Sequence, residues 1–236
     1  MNFPVLILAG GFGTRLKSAI GDIPKPIAPV GDKTFLYFLI SNLYRQSVRE
    51  IVFSLHFKAE LVIAEVKKMS LPQDLKLKFV TESEPMGTGG AIKFCWESCS
   101  NSEGLIVVNG DTYLSSGIQE IEGNNFRDAV IGLTFIENTF RYGCVDLDDN
   151  ELVVAFTEKS HNKSGWINNG LYRLPAHLLN TLPQGKYSLE TNIFPKWCLE
   201  GKIKGLKLDG EFIDIGVPED YQNFQKNLKQ FTNANI

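Results

Sequence analysis

The residues best suited to chemistry lie near the start of the chain. Leu8-Ala9-Gly10-Gly11-Phe12-Gly13-Thr14-Arg15-Leu16 places a glycine-rich turn directly after an apolar β-type run, and Lys25 follows between Pro24 and Pro26. Glycines let backbone N–H groups approach phosphate oxygens with no Cβ in the way. Arg15 offers a planar fork of donors for phosphate, and Lys25 offers a point charge. Prolines on both sides fix the backbone around Lys25, which a plain surface lysine does not need. The group as a whole suits a nucleoside triphosphate. Two familiar phosphate loops do not fit. Gly13-Thr14-Arg15 lacks the Gly-Lys-Ser/Thr ending of a P-loop. Leu16 stands where a dinucleotide fingerprint has its third glycine. The competing reading is a bare strand-to-helix turn, which leaves Arg15 and Lys25 unexplained.

Two acids have matching settings further on. Asp111 follows the apolar run 105–109, and Asp214 stands in Phe212-Ile213-Asp214-Ile215-Gly216-Val217-Pro218. In each case an apolar segment delivers one carboxylate beside a glycine. Two carboxylates together with phosphate oxygens make a site for Mg2+. The plainer readings are a turn at Gly110-Asp111-Thr112 and a helix cap at Asp214. Pro218 places the following helix start too late for that cap.

The surrounding pattern says what must position these residues. Val5–Leu8, 51–55 and 105–109 are short β runs, and 75–81 alternates apolar with polar. Between them Leu36, Leu39, Ile40 and Leu43 recur at helical spacing, and 61–68 and 89–98 read as helices. This alternation implies an α/β fold, a Rossmann-like, mainly parallel mixed sheet flanked by helices. Ligands in such sheets bind beyond the carboxyl ends of the strands, where the glycine turn and Asp111 both lie. The second half is richer in strands, at 129–136, 143–147, 152–159, 167–174 and 203–208. Helices are expected at 191–200 and from Pro218 to about 229, before a polar tail at 232–236. One domain spans 1–236, with one half at about 1–127 that carries the phosphate-binding turn and a second half at about 128–236.

The glycine turn with Pro24-Lys25-Pro26 closely resembles the sugar-1-phosphate nucleotidyltransferases, the nucleoside-diphosphate-sugar pyrophosphorylases. The likeness runs to about Tyr221. It implies the nucleotide-diphospho-sugar transferase fold and attack by a sugar 1-phosphate oxygen on the α-phosphorus of a nucleoside triphosphate, with pyrophosphate expelled. By that resemblance Leu8, Ala9, Gly10, Gly11, Gly13 and Thr14 hold the nucleotide. Arg15 and Lys25 form the catalytic pair, Arg15 stabilising the departing pyrophosphate and Lys25 bridging the reacting phosphates. Asp111 and Asp214 carry Mg2+.

The segment Glu82-Ser83-Glu84-Pro85-Met86-Gly87-Thr88-Gly89-Gly90-Ala91 resembles the family's base-recognition loop, with Gly87 and Thr88 against the base. The position that reads the Watson–Crick edge is Glu82, where relatives that take uracil or thymine often carry Gln. Guanine presents two adjacent donors, and an ionised carboxylate is acceptor-only, so Glu82 favours GTP. A solvated pair with Glu84 is the alternative. On the sugar side, Tyr142-Gly143, Glu158-Lys159 and Asn168 of Asn168-Asn169-Gly170-Leu171-Tyr172 resemble the family's sugar contacts. Their plainer readings are a turn and a surface ion pair. Within the family, chain length, 22–29 and 82–91 look most like the guanylyltransferases that act on D-glycero-α-D-manno-heptose 1-phosphate in surface-polysaccharide synthesis. UTP or dTTP with a hexose 1-phosphate, GTP with mannose 1-phosphate, and a non-catalytic nucleotide-sugar sensor stay open as alternatives.

Composition narrows the classes. Hydrophobic residues make up 43% and charged residues 22%, as in a soluble globular protein. The formal charge of −3 argues against a nucleic-acid or membrane surface, but not against a local phosphate pocket. The amino terminus lacks a basic leader and no apolar window has transmembrane length, so a cytoplasmic protein is expected. The four cysteines have no zinc-finger spacing; Cys95 and Cys99 could share a helix face, but read better as buried thiols. The three histidines are scattered. Nothing sets an oligomeric state, and a homo-oligomer is left open.

Overall fold

The computed structural model describes residues 3–99, 103–157 and 164–227. Strand β1 (Val5–Leu8) leads through a 3-10 turn, Thr14–Leu16, into α1 (Lys17–Ile20). A second 3-10 turn, Lys25–Ile27, precedes the small hairpin of β2 (Pro29–Val30) and β3 (Lys33–Thr34). Helix and strand then alternate through α2 (Phe35–Arg45), β4 (Glu50–Leu55), α3 (Ala59–Lys68), β5 (Lys76–Thr81), α4 (Gly87–Glu97) and β6 (Gly104–Asn109). After β7 (Thr112–Leu114) and α5 (Ile118–Glu122) come β8 (Ala129–Ile136), β9 (Cys144–Leu147), β10 (Val153–Thr157) and β11 (Gly165–Pro175). The remainder is α6 (Ala176–Thr181), a π-type turn at Leu189–Ile193, α7 (Phe194–Leu199), β12 (Ile203–Lys207), β13 (Phe212–Asp214) and α8 (Pro218–Lys226).

One nine-stranded sheet takes strands from both halves of the chain. β5, β4, β1 and β6 are parallel neighbours in that order. β11 runs antiparallel to β6, β8 antiparallel to β11, and β12 parallel to β8. The β9–β10 pair joins at Ile167 of β11. Alternate side chains of β1 feed two cores: Val5 and Ile7 pack under α2 and α3, and Leu6 packs on the face of α4, α6 and α7. Burial on both faces is why the central parallel strands are continuous apolar runs rather than alternating ones.

The expected helix at 191–200 is divided. A π-type turn covers Leu189–Ile193, and α7 begins at Phe194 because Pro195, which has no N–H, fits only its first turn. The short strands β7 and β13 lie outside the expected elements, being only three residues each and pairing with one another off the main sheet. The expected strand at 152–159 is seen over Val153–Thr157, and the end of the last helix and the 232–236 tail fall outside the described residues. Cys95 is buried in the core, and burial pushes its thiol up to about 12, consistent with a structural role.

Arg173 closes the passage from the first half to the second. It lies on β11, only 7% exposed. Its guanidinium donates to the carbonyls of Asn124 at 2.9 Å and Asp128 at 3.2 Å, and to that of Phe126. These carbonyls belong to the connection between α5 and β8. Burial pulls its pKa below the ordinary arginine value. Replacing Arg173 by Met should leave the carbonyls unpaired and cost roughly 2–3 kcal/mol. Thermal unfolding should show this as a fall in Tm of about 5–10 °C.

Candidate active site

A cavity of about 340 Å3 opens beyond the carboxyl ends of β1, β4 and β6, marked by Leu8, Ser54 and Asn109. Ala9, Gly10, Gly11 and Gly13 continue its wall from Leu8, and Lys25 and Asp111 stand with them. Glu82, Gly87 and Thr88 are also in the lining. The register of the sheet explains the convergence. β1 pairs with β4 and β6 on either side, so loops distant in sequence leave the sheet at the same edge. Thr14 and Arg15 are not in this lining; both are exposed on the 3-10 turn at the cavity's edge.

Lys25 is held by its neighbours on every side. Pro24 sets an extended entry, Pro26 sits within the 3-10 turn, and Lys25 Nζ lies 2.9 Å from Asp111 Oδ2. Its side chain is 12% exposed. Gly13 adopts φ +64°, and a Cβ there would stand 2.7 Å from Lys25 Cγ. This glycine is therefore required twice, for a left-handed backbone and for the lysine stem that crosses it.

The two acids meet through β7 and β13. These strands pair antiparallel with Asp214 opposite Thr112, and Ile215 N–H donates to the Asp111 carbonyl at 2.9 Å. Asp214 Oδ1 accepts the Gly216 N–H at 2.7 Å. Burial, and then the neighbouring Asp111 charge, push the Asp214 carboxyl above its ordinary value, while the Gly216 hydrogen bond, Lys25 and Arg141 pull the other way. Two carboxylates placed where one is strained by the other fit a divalent cation, which would relieve both terms. The donor set is two acids, so the further ligands would come from phosphate and water. No group of three or more His, Cys, Asp or Glu suited to a metal occurs among the described residues.

Glu82 separates from Glu84. Glu84 is exposed, whereas Glu82 is 6% exposed and sits in the cavity wall. Ser54 Oγ donates to its Oε1 at 2.7 Å and Met86 N–H to its Oε2 at 3.0 Å. Each oxygen keeps one further acceptor site, so the carboxylate can take two more donors side by side. The solvated-pair reading is therefore excluded.

Gly87 has φ +70°, and a Cβ there would stand 2.5 Å from the Tyr187 carbonyl oxygen. The 187–190 segment thus packs directly on the start of α4. The Thr88 hydroxyl donates to Glu190 Oε2 at 2.5 Å and accepts Leu189 N–H at 2.9 Å. A second cleft of about 650 Å3 lies beyond the acid pair, lined by Tyr142, Arg141, Asp214 and Asp220. Burial, and then Asp214, push the Tyr142 phenol above its ordinary value, and Arg141 pairs with Asp220 at 2.6 Å. Gly143 is exposed beside Tyr142. Asn168, on β11, donates to Tyr172 OH at 2.9 Å and accepts Gly170 N–H at 3.0 Å. Glu158 and Lys159 lie outside the described residues.

Sequence reasoning passed over Ser54, Arg141, Asp220 and Glu190. Ser54 did leave a signal, as the polar residue within the apolar run 51–55. The Arg141–Asp220 pair left none, because its members come together only when α8 packs against the 139–142 loop.

The acid pair yields a pH expectation. Because the folded pKa of Asp214 is raised, the folded protein binds more protons than the unfolded chain between the ordinary Asp value and the raised one. Its contribution to stability is thus unfavourable above the raised pKa and fades as pH falls through it. Asp214→Asn, which keeps an acceptor for Gly216, should raise Tm at neutral pH in chelator by about 2–4 °C while abolishing turnover. A thermal melt with and without chelator, run beside an activity assay, checks both.

Known proteins resemble the chain along nearly its whole length. Residues 4–230 match the Nucleotidyl transferase family. The chain is 39% identical over 220 residues to a D-glycero-alpha-D-manno-heptose 1-phosphate guanylyltransferase of Campylobacter jejuni, covering 93% of this chain and 97% of that protein. It is 32% identical over 231 residues to a protein of the same description from Aneurinibacillus thermoaerophilus, covering 96% and 98%. A crystal structure of HddC from Yersinia pseudotuberculosis complexed with GMP-PN superposes with a TM-score of 0.86 at 39% identity, covering 96% of this chain and 99% of that one. A sheet of this order, a glycine turn at its carboxyl edge and this breadth of match have one meaning: the chain belongs to the Nucleotidyl transferase family.

Proposed function

We propose that this protein transfers GMP from GTP to D-glycero-α-D-manno-heptose 1-phosphate, giving GDP-heptose and pyrophosphate. The observation that carries the reading is Glu82: a buried, acceptor-only side chain with two unused acceptor sites in the cavity wall. That matches the paired N1–H and 2-amino donors of guanine. The names of the relatives agree, and supply the choice of heptose.

The remaining roles are read from the family resemblance, together with placement where the cavity lining includes the residue. Leu8, Ala9, Gly10, Gly11, Gly13 and Thr14 hold the triphosphate, with Gly87 and Thr88 beside the base. The sugar phosphate oxygen is already an anion, so the chemical problem is bringing two polyanions together and stabilising the leaving group. Lys25, inside the cavity, lies between the reacting phosphates; exchange of its Asp111 partner for phosphate is a local movement of one flexible side chain. Arg15, exposed on its turn, covers the departing pyrophosphate from the open side. Asp111 and Asp214 would hold Mg2+, which supplies charge neutralisation at the phosphates when bound. The second cleft, lined by Asp214 as the first is lined by Asp111, receives the acceptor sugar beside Tyr142 and Gly143. Asn168, Glu158 and Lys159 are assigned to the sugar by the family resemblance. On this reading the nucleotide half is about 1–127 and the sugar half about 128–236.

No helix among the described residues is long and apolar enough to cross a membrane. Thiols at Cys95, Cys99 and Cys198, together with dependence on GTP, fit a cytoplasmic enzyme feeding surface-polysaccharide synthesis.

The test is pyrophosphate release with GTP, UTP, dTTP and ATP, each with heptose and mannose 1-phosphates. GTP with the heptose should give the highest kcat/KM. Glu82→Gln should reduce kcat/KM for GTP about 10–100-fold, since one acceptor becomes a donor facing a donor. Ser54 can reorient its hydroxyl towards the new amide, so the fold should survive. An unchanged GTP preference in Glu82→Gln would sink the base argument, and preference for mannose 1-phosphate would replace the heptose.

A further inference from the structure

One carboxylate outside both clefts receives hydrogen bonds from each half of the molecule. Glu190 lies on the π-type turn Leu189–Ile193. Its Oε2 accepts from Thr88 Oγ1 at 2.5 Å and from Ser188 Oγ at 2.8 Å, and its Oε1 accepts from Tyr172 OH at 3.4 Å. Tyr172 is buried, and its oxygen in turn accepts from Asn168 Nδ2 at 2.9 Å. On the other arm, Thr88 Oγ1 accepts from Leu189 N–H. Every donor in both chains therefore points towards Glu190. Reversing the Tyr172 arm would leave a buried hydroxyl proton with no acceptor.

The segment that carries Glu190 is fastened to the start of α4. Gly89 and Gly90 N–H both donate to the Tyr187 carbonyl, at 3.1 and 3.3 Å, and Tyr187 N–H donates to the Met86 carbonyl at 3.0 Å. A Cβ at Gly90 would stand 2.2 Å from the Gly185 carbonyl oxygen. The glycines of 87–90 thus admit a strap from the second half of the chain, over the wall that Gly87 and Thr88 form in the cavity.

We propose that Glu190 is a positioning residue that links the two substrate sites, fixing Thr88 on the nucleotide side and, through Tyr172, the amide of Asn168 on the acceptor side. With Nδ2 committed to Tyr172 and Oδ1 to Gly170 N–H, Asn168 retains one N–H and one lone pair in a set orientation. That is a donor–acceptor pair suited to a sugar hydroxyl. The inference rests on the assignment of the two sites made above.

Two variants test it. Glu190→Gln cannot accept from Thr88 and Tyr172 together, because its amide nitrogen is a donor. Tyr172→Phe removes only the acceptor arm. The measurements are GTP affinity by calorimetry with Mg2+, KM for heptose 1-phosphate from pyrophosphate release, and Tm. Glu190→Gln should weaken GTP binding and raise the sugar phosphate KM, each about fivefold or more. Tyr172→Phe should raise the sugar phosphate KM alone. The proposal is overturned if Glu190→Gln changes only one constant, or if both variants lower Tm with the constants unchanged. Should Glu190→Gln fail to fold, Tyr172→Phe decides: an unchanged sugar phosphate KM, or an equal change in GTP affinity, overturns the link. A wild-type protein that binds no GTP would instead overturn the assignment of the sites, and this inference with it.

Discussion

The placement of Asp111 against Asp214 is the constraint on which the rest of the site depends. Burial first, and then the like charge of Asp111, raise the Asp214 carboxyl, so holding the two acids together at a partly buried edge costs the folded chain free energy. The fold holds them there with backbone: the β7–β13 pairing and the Ile215 to Asp111 hydrogen bond leave neither acid free to move away. Lys25 then answers part of the charge at 2.9 Å. That lysine can lie there only because Gly13 has no side chain in its path. Glycine turn, lysine and both acids are thus one electrostatic unit, assembled from four separate parts of the sequence.

Much of the fold was legible because both cores are fed by short, strongly patterned elements. Apolar runs such as 51–55 and 105–109 had to be strands buried on both faces, and the alternation with helices required a mainly parallel sheet. The elements that escaped were those without a period to detect. β7 and β13 are three residues each and owe their form to each other. The break before α7 could be anticipated only by weighing Pro195 over the surrounding helical pattern.

The candidate site divides along the same line. Residues carried by local motifs, from Leu8 to Gly13 with Lys25, Glu82 and Asp111, are brought to one cavity. Local sequence could also assign Gly87 an open backbone, but not its cause. The neighbour it must admit is the Tyr187 carbonyl, 100 residues later. Contacts of that kind have no signature in a single segment. Arg141 with Asp220 and Thr88 with Glu190 are further cases in which each residue is ordinary until the chain folds.

The geometry also bears on why each cleft is lined by one acid of the pair, Asp111 in the first and Asp214 in the second. Each substrate arrives as a polyanion, and a purely basic lining would hold them tightly as ground states and release the product slowly. Transition-state stabilisation has to exceed ground-state binding for a site to accelerate a reaction. With Asp111 lining one cleft and Asp214 the other, the protein alone presents mixed charge there: two carboxylates against Lys25, with Arg141 engaged by Asp220. Positive charge in excess of that balance must come with the substrates or from Arg15, exposed on its turn. Attraction is then greatest only when all the reacting groups are present together, which is the condition under which transfer of a nucleotidyl group, rather than retention of either partner, becomes the favoured outcome.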